Sequence, residues 1–284
     1  MKLIRFGPPG REKPGVQLPD GMRVDASGFV RDYDEDFFGG EGPGALASWA
    51  AGEAKQAPRV PAGSRLGPPV RRPGHLICIG LNYRDHARES NMPIPAEPVI
   101  FSKAPSALAG PDDDLVMPRG TVKLDWEVEL AFVIGKAARY VPKERALEHV
   151  AGYVLHNDVS ERVAQLERGG QWIKGKSHDG FAPLGPWIAT PDEIPDPGKL
   201  DLWLKVNGES LQKGTTAELI FDIPTLVSAL SEFMTLRPGD VVSTGTPPGV
   251  GLGLKPPRFL KVGDVVEWGV TGLGAAKHRV VASA

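Results

Sequence analysis

LDLWLKVNGESL, residues 200–211, gives the clearest indication of fold class in this 284-residue chain. Leu202, Leu204 and Val206 alternate with Trp203 and Lys205. This period of two is typical of a strand with one buried face. The Asn-Gly pair that follows readily takes the positive φ angles of a tight turn. The stretch therefore predicts a β-hairpin.

A second strand pattern occurs twice after this hairpin. RPGDVVSTG (237–245) and KVGDVVEWG (261–269) each place a Gly-Asp turn before a Val-Val strand. With 35 glycines and 28 prolines, long helices are expected to be few. The strongest helical patterns are KERALEHVAG (143–152), SERVAQLER (160–168), with Ser160 as N-cap, and PTLVSALSEFM (224–234). We predict a β-rich α+β fold. The sequence has no run of alternating β and α units, so a doubly wound sheet or a TIM barrel is not expected.

Residues 1–70 have the pattern of a small N-terminal α+β domain. MKLIRFG predicts a strand, VQLPDGMRV a hairpin with Pro-Asp-Gly at its turn, and GALASWAAGEA a short helix. The connector APRVPAGSRLGPPVRRPG (57–74) is too rich in Pro and Gly for continuous helix or central strand. We therefore predict a boundary near residue 70 and a catalytic domain over 71–284.

Charge and composition exclude several classes of function. The net charge is −2, with 33 basic and 35 acidic residues interspersed, so no nucleic-acid partner is expected. No apolar run approaches the ~20 residues of a membrane span, and the start lacks the apolar core of a signal peptide, which predicts a cytoplasmic protein. The only cysteine, Cys78, can form no intrachain disulfide, and no histidine pair has the i,i+3 or i,i+4 spacing of a helical zinc site. Any metal site should use oxygen ligands.

The segment DWEVELAFVIG (125–135) carries the strongest candidates for such ligands. On a strand, Glu127 and Glu129 project from one side, roughly 6.5–7 Å apart along the chain. A solvated acidic face is the alternative, but the apolar run LAFVIG favours a buried strand in which clustered acids need a cation. Alternation alone gives no reason to leave Asp125 out of the site.

A second apolar segment, YVLHNDVSER (153–162), ends in a polar turn with Asp158. Three carboxylates with positions open for water and substrate suit Mg²⁺ or Mn²⁺ better than zinc. The sequence alone does not show that Asp158 meets the two glutamates.

GLNYRDHARE (80–89) places His86 and Glu89 three residues apart on a predicted helical turn. Since such residues are neighbours, the carboxylate can orient the imidazole for general-base catalysis, and the segment can serve as a lid. The alternative is an ordinary solvated helix face.

Three further segments supply polar candidates. Arg162 and Gln165 share a helix face beyond Asp158, although Arg162 can equally form a surface ion pair. Thr246 in STGTPPGVG (243–251) lies in a Gly/Pro turn that suits a carboxylate, with an ordinary tight connection as the alternative. GQWIKGKS (170–177) matches the P-loop string, yet it lacks the preceding strand and following helix that a P-loop needs. We interpret it as a loop that brings Lys176 to the site.

Taken together and in this order, GLNYRDHARE, DWEVEL, HNDVSER, GKS and STGTPPGVG resemble the fumarylacetoacetate hydrolase family over residues 75–284. The resemblance implies a mostly β fold with a rolled mixed sheet, a homodimer or a higher assembly of dimers, and bound Mg²⁺ or Mn²⁺. It implies metal ligands at Glu127, Glu129 and Asp158, with Asp125 left out. The lid dyad would be His86 and Glu89, and the substrate contacts Arg162, Gln165, Lys176 and Thr246.

The N-terminal unit and QLERGGQWIKGKS further resemble a bacterial branch that acts on 2,4-diketo-3-deoxy sugar acids such as L-2,4-diketo-3-deoxyrhamnonate or its fuconate analogue. The leading hypothesis is therefore metal-dependent C–C hydrolysis of an acylpyruvate to pyruvate and a carboxylic acid, with His86 as base and Lys176 stabilising the oxyanion. Alternatives are oxaloacetate decarboxylation or keto–enol isomerisation, ureidoglycolate lyase activity, and a non-catalytic metal-binding protein.

Overall fold

The computed structural model describes residues 1–89 and 92–283. Short strands dominate these residues. In chain order they are β1 (Lys2–Phe6), β2 (Lys13–Gln17), β3 (Arg23–Asp25), β4 (Leu66–Gly67), β5 (Leu76–Gly80), β6 (Val99–Lys103), β7 (Leu108–Ala109), β8 (Leu115–Met117), β9 (Leu124–Asp125), β10 (Val128–Ile134), β11 (Val150–Asn157), β12 (Ser160–Glu161), β13 (Ala182–Ala189), β14 (Asp201–Val206), β15 (Glu209–Thr215), β16 (Val241–Ser243), β17 (Val265–Val270) and β18 (Gly274–Ala282).

Helices are few and short, as the glycine and proline content predicts. The α-helices are α1 (Glu35–Gly39), α2 (Gly42–Gly52), α3 (Arg84–Glu89), α4 (Ile173–Lys176) and α5 (Ile223–Phe233). 3₁₀ segments occupy Ala54–Gln56, Pro105–Ala107, Lys143–His149, Thr216–Glu218 and Gly251–Gly253, and a π-helical turn occupies Val163–Glu167. None of the helices in 1–89 and 92–283 has the length and apolarity needed to cross a membrane.

One large mixed sheet forms the body of the molecule. Its strand order is β3-β2-β1-β13-β11-β10-β16-β5-β6, with β4 added beside β1 and β7 beside β13. Strands β10 and β11 run antiparallel at the centre, whereas β16 and β5 pair in parallel. Every residue of β10 is buried, which agrees with the uninterrupted apolar run expected of a central strand. The predicted β-rich mixed fold is confirmed.

The hairpin predicted from residues 200–211 belongs to a second sheet, of order β15-β14-β17-β18-β8. Strands β14 and β15 pair antiparallel, and Asn207 and Gly208 take φ angles of 52° and 82° at the turn. Leu202, Leu204 and Val206 are fully buried. The alternation therefore gives both the strand and its buried face correctly.

The N-terminal segment forms the elements expected of it, including the hairpin β2–β3 and the helix α2. Strand β1 pairs with β13, with Lys2 opposite Ala189, so these elements join the large sheet. Leu3 and Leu155 also lie in one continuous hydrophobic core. The division of the chain at residue 70 stays a prediction.

Two of the three predicted helices differ from the structure. KERALEHVAG forms a 3₁₀ turn and then, from Val150, the central strand β11, because pairing with β10 outweighs local helix propensity. SERVAQLER begins as β12, in which Ser160 pairs with Asp125, so Ser160 is not an N-cap. Its hydroxyl instead donates to the Asp158 carbonyl. PTLVSALSEFM is confirmed as α5, with Asp222 as its N-cap.

Candidate metal centre and active site

Two neighbouring strands of the large sheet bring the three predicted metal ligands together. Glu127 lies just before β10, Glu129 within it, and Asp158 directly after β11. Pairing of Val128 with Asn157 sets this register, and the Asp158 N–H donates to the Glu127 carbonyl at 2.9 Å. One carboxylate oxygen from each ligand residue lies within 4.8 Å of the other two, and all three side chains are buried.

Two lysines hold Asp158 in place. Lys176 Nζ donates to Glu127 Oε2 at 2.8 Å and to Asp158 Oδ2 at 2.7 Å. Lys103 Nζ lies 2.7 Å from Asp158 Oδ1, so each oxygen of this carboxylate faces an ammonium group. Charge pairs of this kind, removed from water, fix the orientation of a carboxylate strongly.

Lys103 is a site residue that the sequence analysis missed. Its Nζ also donates to three backbone carbonyl oxygens at 2.7–2.9 Å, one of them that of Lys176. A lysine that ends the strand VIFSK looks like an ordinary edge residue in the sequence, where charged side chains are common. In the structure its side chain is fully buried and ties together the segments that carry Asp158 and Lys176.

Arg162 makes buried ion pairs with the acids beside it. Its Nη2 lies 2.6 Å from Glu127 Oε1, and its Nε donates to Asp125 Oδ2 at 2.8 Å. Its Nη1 donates to Gln165 Oε1 at 3.0 Å, which leaves the amide NH₂ of Gln165 as the group available to a ligand. Contact between Arg162 and substrate stays a prediction.

Asp125 is occupied by groups other than a metal. Besides Arg162, it accepts hydrogen bonds from the backbone N–H groups of Gly251 and Leu252 at 2.7 and 3.0 Å. The alternation of side chains along residues 125–135 did not exclude Asp125 as a metal ligand. The structure gives a physical reason for its exclusion, since its oxygens hold the 251–252 loop and Arg162.

The pKa values of the Glu129 and Asp158 carboxyl groups shift in opposite directions. Burial raises the pKa of the Glu129 carboxyl well above its ordinary value, and the charges of Asp158 and Glu127 raise it further. Burial would also raise the pKa of Asp158, but Lys103 and Lys176 outweigh this effect and hold it below its ordinary range. Without a cation, the cluster therefore favours a proton on Glu129.

Charge balance explains why a divalent cation fits. Among the described residues, this cluster has four buried carboxyl groups and three buried cations, a net charge of −1 when all are ionised; the acids are Asp125, Glu127, Glu129 and Asp158, and the bases Lys103, Arg162 and Lys176. A divalent ion changes this charge to +1, and a substrate with one carboxylate then brings it to zero. Three buried carboxylates are a donor set suited to Mg²⁺ or Mn²⁺.

A cavity of about 500 Å³ opens onto this cluster. Asp158 lies behind its surface, fully buried. The predicted site residues that line the cavity are His86, Glu89, Glu127, Glu129, Arg162, Gln165, Lys176 and Thr246. The structure therefore gathers side chains from across the sequence around one space of the size typical of small-molecule sites.

The predicted dyad lies at the mouth of the cavity on α3. His86 Nδ1 is 3.0 Å from Glu89 Oε2, and both Glu89 oxygens accept from the backbone N–H of Gly249, at 3.2 and 3.4 Å. Since the carboxylate accepts, Nδ1 carries the proton and Nε2 is left as a base.

Thr246 lines the cavity, but its hydroxyl has protein partners. Thr246 Oγ1 donates to the Val128 carbonyl at 2.9 Å and accepts from Gln212 Nε2 at 2.8 Å. The hydroxyl proton is thus committed to the backbone, and the hydroxyl could meet a substrate only as an acceptor. Its role in substrate binding stays a prediction.

The remaining walls of the cavity are mainly apolar and include Phe101, Met92 and Trp172. Lys255, also missed in the sequence analysis, lines the cavity and forms no ion pair within the described residues. The basic groups at the bottom of the cavity, Arg162 and Lys176, are paired with carboxylates, whereas Lys255 has no charged partner among the described residues.

The GKS segment has a packing function instead of a nucleotide-binding one. Helix α4 ends at Lys176, whereas a P-loop helix would begin there. A Cβ atom on Gly175 would lie 2.3 Å from the Glu161 carbonyl oxygen and 2.5 Å from the Gln165 nitrogen. Glycine therefore lets α4 approach the π-helical turn closely and brings Lys176 to the carboxylates.

Comparisons with known proteins agree with this architecture. Residues 75–281 match the family model described as fumarylacetoacetate hydrolase, C-terminal. A Burkholderia multivorans protein, provisionally assigned as a hydrolase, is 52% identical over 275 residues, 96% of each chain.

Two solved structures align over the full length of both chains. A fumarylacetoacetate hydrolase from Exiguobacterium antarcticum is 38% identical, with a TM-score of 0.86. A maleylpyruvate hydrolase from Sphingobium sp. SYK-6, solved with manganese(II) and pyruvate, is 30% identical, with a TM-score of 0.83.

Proposed function

Because the chain belongs to the fumarylacetoacetate hydrolase family, we propose that it is a metal-dependent hydrolase that cleaves a C–C bond in an acylpyruvate. The observation that carries this proposal is one cavity with a buried triad of carboxylates at its base and a His–Glu dyad at its mouth. A metal site alone suits many reactions, but the dyad adds a base for activating water. The similar maleylpyruvate hydrolase, crystallised with manganese and pyruvate, supports a 2-keto acid as ligand.

Glu127, Glu129 and Asp158 would hold the ion, which supplies Lewis-acid polarisation of the 2-keto acid when bound. His86 Nε2 takes a proton from water while Glu89 holds the opposite ring nitrogen. The resulting hydroxide attacks the C4 carbonyl carbon of the substrate.

Lys176 has two of its three ammonium protons directed at carboxylates, and the third remains to stabilise the oxyanion on C4. Collapse of this oxyanion breaks the C3–C4 bond and leaves the electron pair on C3 as the pyruvate enolate. The enolate takes up at C3 one proton, which balances the proton that His86 removed from water, and the products are pyruvate and a carboxylic acid.

The chemical group that the substrate carries beyond its 2-keto acid end is the more specific part of the proposal. A 2,4-diketo-3-deoxy sugar acid has hydroxyl groups that need hydrogen-bond partners, whereas much of the outer wall is apolar. Gln165 and Lys255 line the cavity and have polar groups that are free to bind such hydroxyls. The sugar acid stays a proposal alongside acylpyruvates with a plain or carboxylated chain.

A substrate panel tests the function. Pyruvate release is measured with Mn²⁺ on a 2,4-diketo-3-deoxy sugar acid, an unbranched acylpyruvate, an acylpyruvate with a terminal carboxylate, and oxaloacetate. Urea release from ureidoglycolate is followed in parallel. We expect kcat/KM for at least one acylpyruvate to exceed that for oxaloacetate at least tenfold.

Preference for oxaloacetate would instead support the decarboxylase, which needs no attacking water. Conversion of an acylpyruvate between keto and enol forms without cleavage would support an isomerase, and urea release the lyase. The proposed homodimer is tested separately by analytical ultracentrifugation.

A further inference from the structure

Three adjacent strands direct polar side chains at the metal ligand Glu129. Glu129 on β10 lies directly opposite His156 on β11, so both side chains project from the same face of the sheet. On the other side of β10, Ser243 of β16 lies opposite Ala131, two residues from Glu129 and on that same face. Glu129 is therefore flanked by His156 and Ser243.

The hydrogen bonds form a directed chain. Ser243 Oγ lies 2.5 Å from Glu129 Oε2, and His156 Nδ1 lies 2.7 Å from Ser243 Oγ. When Glu129 is ionised it can only accept, so the single serine proton points to Oε2 and His156 Nδ1–H donates to the serine oxygen. The backbone N–H of Gly245 donates to the same Oε2 at 3.0 Å.

From this arrangement we propose that His156 and Ser243 are positioning residues, which hold Glu129 Oε2 and so fix the orientation of its carboxylate at the metal site. The inference rests on the metal site of the proposed function. Preorganised ligands bind a metal more tightly, since less side-chain freedom is lost on binding, and groups that orient first ligands commonly change metal affinity 10–100-fold.

Simple core packing does not account for His156. Its side chain is fully buried, and its Nε2 has no hydrogen-bond partner among the described residues. An unpaired buried nitrogen is unfavourable, and an apolar ring would fill the space without it. Within 1–89 and 92–283, the one hydrogen bond of the imidazole is to Ser243, which indicates that the ring serves to hold the serine.

The test measures Mn²⁺ binding by the EPR signal of free Mn²⁺ in the full chain. Ser243→Ala removes one oxygen and should weaken Mn²⁺ binding about tenfold, while Ser243→Cys, which keeps a weak donor, should weaken it less. At saturating Mn²⁺, the kcat of Ser243→Ala should return towards the wild-type value, which a generally misfolded site would not allow.

His156→Phe should weaken Mn²⁺ binding in the same direction as Ser243→Ala. The matched control is His278→Phe, since His278 is also buried and lies on β18 of the second sheet. It should leave Mn²⁺ affinity unchanged.

Wild-type affinity in Ser243→Ala, or an equal loss in His278→Phe, overturns the positioning role. Failure of the wild-type chain to bind Mn²⁺ at all would instead overturn the metal site of the proposed function, and the inference with it.

Discussion

The base and the mouth of the cavity are built differently. At the base, side chains from the centre of the large sheet are buried and each carboxylate has charged or hydrogen-bonding partners on other segments. At the mouth, the dyad lies on the six-residue helix α3, with His86 and Glu89 side chains 15% and 27% exposed. The base is held in place from many directions, whereas the mouth depends on a few contacts.

This difference indicates a division of labour. Placing ligands to within a fraction of an ångström requires rigid elements, and strands locked by neighbours provide them. Admitting a substrate and excluding water requires a segment that can move, and short helices with few buried contacts are the elements that do so. Loss of a metal ligand at the base should abolish tight metal binding, and changes at the mouth should affect chemistry alone.

Glu129→Gln tests the base and should have the largest effect. Since burial already favours a proton on Glu129, the neutral amide should preserve the fold while removing a ligand charge. Pyruvate release should fall by about 10⁴-fold, because several kcal/mol of metal stabilisation is lost. Mn²⁺ titration should show no tight site, and retained tight binding would remove Glu129 from the ligand set.

His86→Ala tests the mouth and should lower kcat by about 10³-fold, the contribution of a positioned general base. Its Mn²⁺ affinity should stay within about twofold of wild type. The two variants together sharpen the comparison, since the first loses metal and activity and the second loses activity alone. Weakened metal binding in His86→Ala would mean that the base and the mouth are not independent.

Gly175→Ala should have an intermediate effect by displacing α4 from the π-helical turn. The added methyl group has no room against the Glu161 carbonyl, so Lys176 must shift relative to Glu127 and Asp158. We expect about a tenfold loss in kcat/KM and a lower Tm. Gly44→Ala in α2, where the added carbon meets nothing within 4 Å, is the control and should leave kcat/KM unchanged without lowering Tm.

An effect on stability alone is expected from His278, which lies at neither end of the cavity. Burial lowers the pKa of His278 to about 3, below its unfolded value near 6.5, so the folded state resists protonation. The contribution of neutral His278 to the free energy of unfolding is therefore fully present above pH 6.5 and is lost as the pH drops towards 3.

In urea unfolding, wild type should lose up to about 1.4 kcal/mol more per pH unit below 6.5 than His278→Phe. An identical acid dependence in the two proteins would mean that His278 is accessible to protons in the folded state.

The base and the mouth also differ in how far the sequence predicted them. Alternation around Glu127 and Glu129 indicated a buried acidic face, and the i,i+3 spacing of His86 and Glu89 indicated the dyad. Both signals are local. Including Asp158 and excluding Asp125 required the family resemblance, because those choices depend on the register between β10 and β11 and on the distant 251–252 loop.

Local sequence patterns also could not predict two other features, because these depend on contacts between distant segments. Lys103 becomes a site residue only through carbonyl groups that lie 56 to 78 residues away in the chain. SERVAQLER has the composition of a helix, yet the pairing of Ser160 with Asp125 delays its helical turn to Val163. Secondary-structure patterns predict elements, while tertiary pairing decides where they begin and which side chains meet.

The most direct test of the central claim is chelation and reconstitution of the wild-type chain. After treatment with a chelator and removal of the chelator, pyruvate release from the best acylpyruvate is measured against added Mn²⁺. We predict almost no activity in the metal-free protein, and recovery in proportion to Mn²⁺ bound up to one ion per chain. Full activity of the metal-free protein would contradict the account.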